Sequence, residues 1–160
     1  MKRLVVPAAV IAAAVLVFAA VNASAHGRHG KGGATVQVVE HAATDAVTNG
    51  NSNADELGNV LTFANPVYDQ TDKLKVGSDQ GYCIRVVLGK SWECNWTTFL
   101  PNGQITVEGP FSDTGNTTVA ITGGTGAYRD AKGSMELKYH NPAGTEFDFV
   151  FNLHGHADRH

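Results

Sequence analysis

Residues 109–133 read GPFSDTGNTTVAITGGTGAYRDAKG, and the rest of the chain is arranged around them. Within this stretch, TTVAIT (117–122) is β-branched and bounded by turn residues, the pattern of a buried strand. Gly123, Gly124 and Gly126 follow at once. Three glycines in four positions permit positive φ and close backbone approach, which other residues resist. Residues 127–131 then suffice for one helical turn, and Gly133 lets the chain enter the next strand.

Outward from this stretch the pattern is strand after strand. Residues 36–42 (VQVVEHA) alternate as a first strand, and 44–56 form a polar loop. A second strand covers 59–64 and stops at Asn65-Pro66, because proline withholds a ladder donor. Residues 68–78 read as a polar crossing segment. Two strands, 82–88 and 93–99, make a hairpin. Asn102-Gly103 signals a tight turn into a strand at 104–107. The sixth strand is 117–121. The seventh is 134–139, with Met135, Leu137 and Tyr139 on one face. The eighth is 146–153, with Phe147, Phe149, Phe151 and Leu153 alternating. Eight strands with short turns and no long helix make a closed barrel or a sandwich, and periodicity alone leaves both open.

The two ends are read as processing and tail. Lys2 and Arg3 precede an apolar run, and Ala23-Ser24-Ala25 is a small-residue cleavage pattern, so residues 1–25 read as a signal peptide cleaved after Ala25, with an uncleaved anchor as the alternative. Its removal takes the net charge from −3 to −5, because Lys2 and Arg3 go with it. Residues 26–34 are a flexible leader, 35–154 the domain and 155–160 a C-terminal tail. The expected address is secreted, with no membrane attachment once the signal is cleaved. An acidic chain argues against nucleic acid as a partner.

Cys83 and Cys94 are the two cysteines, an even count that suits one disulfide in an exported chain. A turn centred at Leu88-Gly89 sets Cys83 opposite Cys94. The same register sets Arg85 opposite Trp92, a favourable cation–π pair, and Gly81 opposite Trp96, whose ring fills the space a glycine leaves. Two free buried thiols are the alternative.

Four blocks in order, LGNVLTFANPVY (57–68), VGSDQGYC (76–83), GPF (109–111) and AITGGTGAY (120–128) with Gly133, resemble the allene oxide cyclase and dirigent-protein superfamily. The resemblance covers about the last two thirds of the chain. It implies an all-β fold, an eight-stranded antiparallel closed β-barrel of calycin-like type with an apolar lumen. It also implies a homo-trimer, no cofactor, and a small apolar ligand whose cyclisation or coupling the barrel steers.

The resemblance also nominates residues. The cyclase pocket's asparagine matches Asn65, its cysteine Cys83 and its acid Glu40, which makes Glu40 and Asn65 the candidate catalytic pair. The tyrosine after Gly-Pro is Phe111 here, an asparagine two after the acid is Ala42, and a Ser-Pro beyond it is Thr48-Asn49. These departures argue against the plant cyclisation by the same route. Tyr128-Arg129 fits the dirigent pattern, while Lys132-Gly133 replaces its Arg-Gly. Asn65, Cys83, Arg85, Trp92, Phe111, Tyr128 and Arg129 are the candidate ligand contacts.

Plainer readings stand beside these. Glu40 also fits an exposed strand carboxylate. If it faces an apolar lumen instead, desolvation raises its pKa and makes it an acid or base. Asn65 also fits a strand end, Arg85 a structural stack on Trp92, and Phe111 packing at a barrel mouth. Of seven histidines, five lie in the expected tails and none shows ligand spacing, so no metal site is expected. No nucleophile elbow, P-loop or zinc-protease motif occurs, and no long helix follows GGTGAY to make a dinucleotide site. Two functions compete. One is a ligand-binding barrel that steers a reaction. The other is a non-catalytic binding or structural protein that keeps the fold without the site. An open lumen with a polar group favours the first, and a filled core the second.

Overall fold

The computed structural model describes residues 33–48 and 55–154. The signal peptide, most of the leader and the tail lie outside the described residues. The strands are β1 (Ala34–His41), β2 (Ala46–Thr48), β3 (Val60–Phe63), β4 (Pro66–Asp69), β5 (Lys75–Val87), β6 (Ser91–Leu100), β7 (Gly103–Ser112), β8 (Thr117–Gly124), β9 (Gly133–Tyr139) and β10 (Glu146–Leu153).

All pairings are antiparallel, and they close a ring. β1 pairs with β10 from Ala34↔Leu153 to His41↔Glu146, and on its other edge with β4. β4 and β3 both pair with β5, which pairs with β6, and the ladder continues through β7, β8 and β9 back to β10. β3 and β4 therefore act as two halves of one broken strand, and β2 adds only to β3. The ring is an eight-stranded barrel, which settles the barrel-or-sandwich question.

Alternation fills the inside. Val38, Cys83, Trp92, Cys94, Trp96, Ile105, Val107, Val119, Ile121, Met135, Leu137 and the three phenylalanines of β10 are all buried and pack as one core. Phe151 and Met135 are fully enclosed. Eight strands leave an interior about wide enough for such side chains.

The β5–β6 hairpin has the expected register. Cys83 faces Cys94 and is disulfide-bonded to it, with Cα atoms 4.0 Å apart. Arg85 faces Trp92 and Gly81 faces Trp96. The glycine turn also behaves as its sequence requires. Gly126 has φ of 59°, and a Cβ at Gly124 would stand 2.3 Å from the Tyr128 carbonyl oxygen. The helical turn that follows is a short 3-10 turn, Gly126–Tyr128.

Three segments depart from expectation: β2 forms within 44–56, read as a polar loop; β7 runs to Ser112 rather than ending at 107; and 68–78 is not a crossing segment. Residues 68–78 do not cross the barrel as irregular chain: they end β4, turn, and open β5. The Asp69 carboxylate organises that turn by accepting from the backbone N–H of Thr71 and Lys73 at 3.2 and 3.0 Å. Polar side chains on both faces of Lys75–Gln80 hide the strand from a hydrophobic-periodicity reading.

A Cβ added at Gly81 would lie 2.3 Å from the Trp96 Cβ and 2.4 Å from the Asn95 carbonyl oxygen. Gly81→Ala therefore forces the hairpin apart. We expect a loss of about 1–3 kcal/mol in urea unfolding, the usual cost of overpacking. Gly115→Ala, with open space around it, changes stability by less than about 0.5 kcal/mol.

Candidate functional site

The site begins where β1 leaves the ladder. Pro66 has no N–H to give, and residues 42–45 step away from the sheet before β2. The gap between the two broken strands is closed by one side chain. Asn65 Oδ1 accepts from the backbone N–H of Ala43 at 3.0 Å, that of Thr44 at 2.9 Å, and the Thr44 hydroxyl at 3.1 Å. Its Nδ2 donates to Glu40 Oε1 and, at 2.8 Å, to Asp45 Oδ1. Its backbone exchanges hydrogen bonds with that of Asp79 on β5 at 3.0 and 2.9 Å. The Asn65 N–H also lies 3.2 Å from Asp79 Oδ1.

Three carboxyl groups thus converge on one asparagine. Glu40 is 4% exposed and Asp79 1% exposed. Burial pushes the Glu40 carboxyl up to about 9, with Asp79 and Asp45 adding like charge and the Asn65 amide opposing. Burial, with Asp45 nearby, pushes Asp79 up to about 7 against the hydrogen bond from Asn65. Glu40 is therefore a neutral acid at pH 7. Asp79 Oδ2 is buried and has no hydrogen-bond partner among the described residues.

Glu40 and Asp45 sit at one side of a cavity inside this end of the barrel. Its volume is about 70 Å³, measured to the centres of water-sized molecules, several times the roughly 10–15 Å³ that one water needs. The other walls are Leu61, Phe63, the Cys83–Cys94 disulfide, Trp96, Phe111, Leu137, Phe147 and Phe149. The aromatic rings brace one another. Trp96 lies 5.7 Å from Phe149 and 6.4 Å from Phe63, and Phe111 meets Phe147 edge-on at 5.7 Å.

Of the residues nominated from sequence, Glu40, Cys83 and Phe111 line this cavity, and Asn65 holds Glu40 in place. Cys83 contributes a disulfide wall, so no free thiol is present. Arg85 and Trp92 face inward at the same end but are engaged in a latch. The Arg85 guanidinium lies 3.9 Å over the Trp92 ring, donates to Asp113 Oδ2 at 2.6 Å, and has Nε 2.6 Å from Asp55 Oδ1. Trp92 Nε1 donates to Asp113 Oδ1 at 3.1 Å. Tyr128 and Arg129 follow β8 at the opposite end of the barrel. Arg129 is exposed, with its Nε 3.5 Å from Asp130. The arrangement does not bring these two to the cavity.

Sequence reasoning missed Asp79, Asp45, Asp113 and Asp55. Asp79 was within reach: it sits at an even spacing from Cys83 on β5, hence on the same face. The others come from loops, where no periodicity marks direction. It also missed a cluster on the barrel's outer face. His41, Asp72 and Glu146 bring ligand-type atoms within 4.8 Å of one another, with His41 Nε2 2.7 Å from Asp72 Oδ1. Three different segments supply them, so no spacing rule reveals the group.

A sequence profile of the allene oxide cyclase family matches residues 35–158. Among solved structures, pyocyanin demethylase superposes with a TM-score of 0.61 at 24% identity, over 72% of this chain and 97% of its own. A pterocarpan synthase dirigent protein gives 0.64 at 16% identity, over 88% and 99%. A Diels-Alderase from Streptomyces koyangensis gives 0.60 at 14% identity, over 81% and 72%. At these identities the likeness establishes the fold.

The raised acids fix a pH dependence. Folded Glu40 and Asp79 keep protons that the unfolded chain gives up near its ordinary carboxylate pKa of 4.5 and 3.8. Stability is therefore fullest below about pH 4 for these groups and is lost as pH rises toward about 9. Each retained proton contributes a slope of up to about 1.4 kcal/mol per pH unit. Urea unfolding between pH 5 and 9 should show this fall. In Glu40→Gln, a permanently neutral isostere that still accepts from Asn65, the fall should be distinctly shallower.

Proposed function

The chain belongs to the allene oxide cyclase family, and from that premise we propose that it binds a small, largely apolar molecule in the barrel and steers its cyclisation or coupling. One observation carries the reading: a neutral carboxyl group held at the edge of an aromatic-walled cavity. The names of structurally similar proteins, a dirigent protein and Diels-Alderases among them, describe tasks of orientation. That is the task these walls suit.

The division of labour follows from the geometry. The rigid wall of Phe63, Trp96, Phe147 and Phe149 excludes water and holds one conformer of a folded substrate. Orientation of this kind is worth up to about 7–11 kcal/mol of barrier. Glu40 holds its proton at neutral pH and supplies it, or a hydrogen bond, to a heteroatom on which charge develops. Asn65 is a positioning residue. By donating to Oε1 it leaves the proton on the other carboxyl oxygen. Phe111 has no hydroxyl and the cysteines have no free thiol, so Glu40 is the proton source within the pocket. A secreted address completes the proposal, in keeping with a disulfide in the barrel wall.

Assembly into a homo-trimer is proposed alongside. The outer face of β5 carries Tyr82, Ile84 and Val86, each 40–49% exposed. A contiguous apolar stripe of this kind suits a subunit contact.

The lumen reading is tested with 2-naphthol, a neutral fluorescent aromatic. We expect saturable binding with quenching of tryptophan fluorescence. Leu61→Trp, which fills the cavity from β3, should weaken binding by about tenfold or more, equivalent to about 1.4 kcal/mol. Unsaturable binding, or equal binding by the filled variant, would place any ligand elsewhere. Light scattering tests the trimer: Ile84→Glu should lower the measured mass without disturbing 2-naphthol binding.

A further inference from the structure

We infer that the ligand of this cavity carries a positive charge: a flat organic cation, stacked on the aromatic wall and compensated by the carboxylates gathered at Asn65. The inference rests on the lumen-binding reading and narrows its substrate class.

The first argument is charge inventory. Glu40 and Asp45 line the cavity, and Asp79 faces inward one step behind them. Among the described residues, no lysine, arginine or histidine lines it. Among the described salt bridges, none involves these three acids, although Arg85 lies on the same inner face of β5. Arg85 is held by Asp113, Asp55 and the Trp92 ring instead. His41, next to Glu40, points outward to Asp72. The inner positions of β7, β9 and β10 at this end are Phe111, Leu137, Tyr139, Phe147 and Phe149. Tyr139, the titratable one, donates its hydroxyl to the Ser112 carbonyl, and burial raises its pKa further, so none carries a charge. Among the described residues, Glu40 and Asp45 accept from the Asn65 side-chain amide and Asp79 from the Asn65 backbone N–H, so their partners are neutral.

The second argument is an unpaired atom. Among the described residues, Asp79 Oδ2 has no hydrogen-bond partner, and it is fully buried in a residue 1% exposed. A buried carboxylate oxygen without a donor costs about 1–3 kcal/mol. A positive charge in the adjacent cavity offsets that cost without needing direct contact.

The third argument is the wall itself. Aromatic faces attract cations, most strongly tryptophan and most when water is excluded. Trp96 packs against both Phe63 and Phe149 and lines the same cavity as Glu40 and Asp45. A neutral ligand gains burial and a hydrogen bond from Glu40, but not the attraction of the ring faces for a positive charge. A carboxylate ligand meets three acidic groups, which its charge would press further toward their protonated forms, and, among the described residues, no cation.

The protonation of Glu40 gives the inference a signature of its own. A cation beside the carboxyl favours its ionised form. Glu40 holds a proton up to about pH 9 when the cavity is empty, so cation binding at pH 7.5 expels that proton to the buffer.

Three probes of similar size and different charge decide the matter: N-methylquinolinium, 2-naphthol and 2-naphthoate. N-methylquinolinium cannot take up a proton, so release reports on the protein. In the wild type we expect N-methylquinolinium to bind about tenfold or more tighter than 2-naphthol, about 1.4 kcal/mol, and 2-naphthoate to bind more weakly than either. Titration calorimetry in buffers of different ionisation enthalpy should show net proton release for the cation alone. Glu40→Gln should abolish the release, and Asp45→Asn, an exposed and mild change, should reduce the cation preference. Gly115→Ala, outside the cavity and with open space around it, is the control and should leave all three affinities within about twofold. Equal affinity for all three probes, or cation binding with no proton release, overturns the cation inference while the lumen reading survives. Failure of every probe to bind overturns both.

Discussion

The amide of Asn65 is the contact on which the working end of this barrel depends. A closed sheet satisfies its own backbone, but at the mouth the ladder is interrupted twice, at residues 42–45 and before Pro66. Interrupted strands leave buried N–H groups that must find partners. One side chain supplies them, accepting from two backbone N–H groups and one hydroxyl while donating to two carboxyl groups. The same amide that repairs the sheet also fixes the acids. Fold and site are therefore one structure at this point, and a change that spoils the second also loosens the first.

A further constraint is the segregation of charge. An inward cation beside three inward acids would ordinarily neutralise them. Here Arg85 is drawn aside by Trp92, Asp113 and Asp55, and the acids are left to one another. Burial holds Glu40 protonated well above its ordinary range, with Asp79 and Asp45 adding like charge. The latch across β5, β6 and the β7–β8 loop ties the loops together and engages Arg85 with other partners. Both cysteines reinforce the same wall, since the disulfide joins β5 to β6 between the latch and Gly81.

Much of this was legible in the sequence, for identifiable reasons. The hairpin register followed from two cysteines, two tryptophans, an arginine and a glycine, because only one alignment paired all of them sensibly. β10 was readable from its alternating phenylalanines. β5 was half read, because Lys75–Gln80 carries polar residues on both faces and its inward positions are marked by Asp79 rather than by an apolar side chain. Glu40 and Asn65 were found through resemblance, yet their direct hydrogen bond was not foreseeable, since it requires the strand break to turn Asn65 inward. Tyr128 and Arg129 were nominated by a motif whose glycines serve a turn at the far end of the barrel. There the motif reports on packing: Gly124 is small because the Tyr128 and Gln104 carbonyl groups approach it.

The substitutions that set this chain apart from the family pattern point one way. Phe111 removes a hydroxyl, and the Cys83–Cys94 bond removes a thiol. Each change trades a reactive group for a rigid wall. A pocket so altered loses routes that need several polar groups acting in turn. It keeps the routes in which shape does most of the work and a single proton is enough. Positioned proton donation is worth about 10²–10⁴ in rate, and orientation in a dry, braced pocket is worth more. A barrel that has given up polar groups while keeping a buried acid at its cavity suits, on the proposed reading, reactions whose bonds form largely within the substrate. On that same reading the protein's part is to choose the conformer and steady the charge that appears as the ring or coupled product closes.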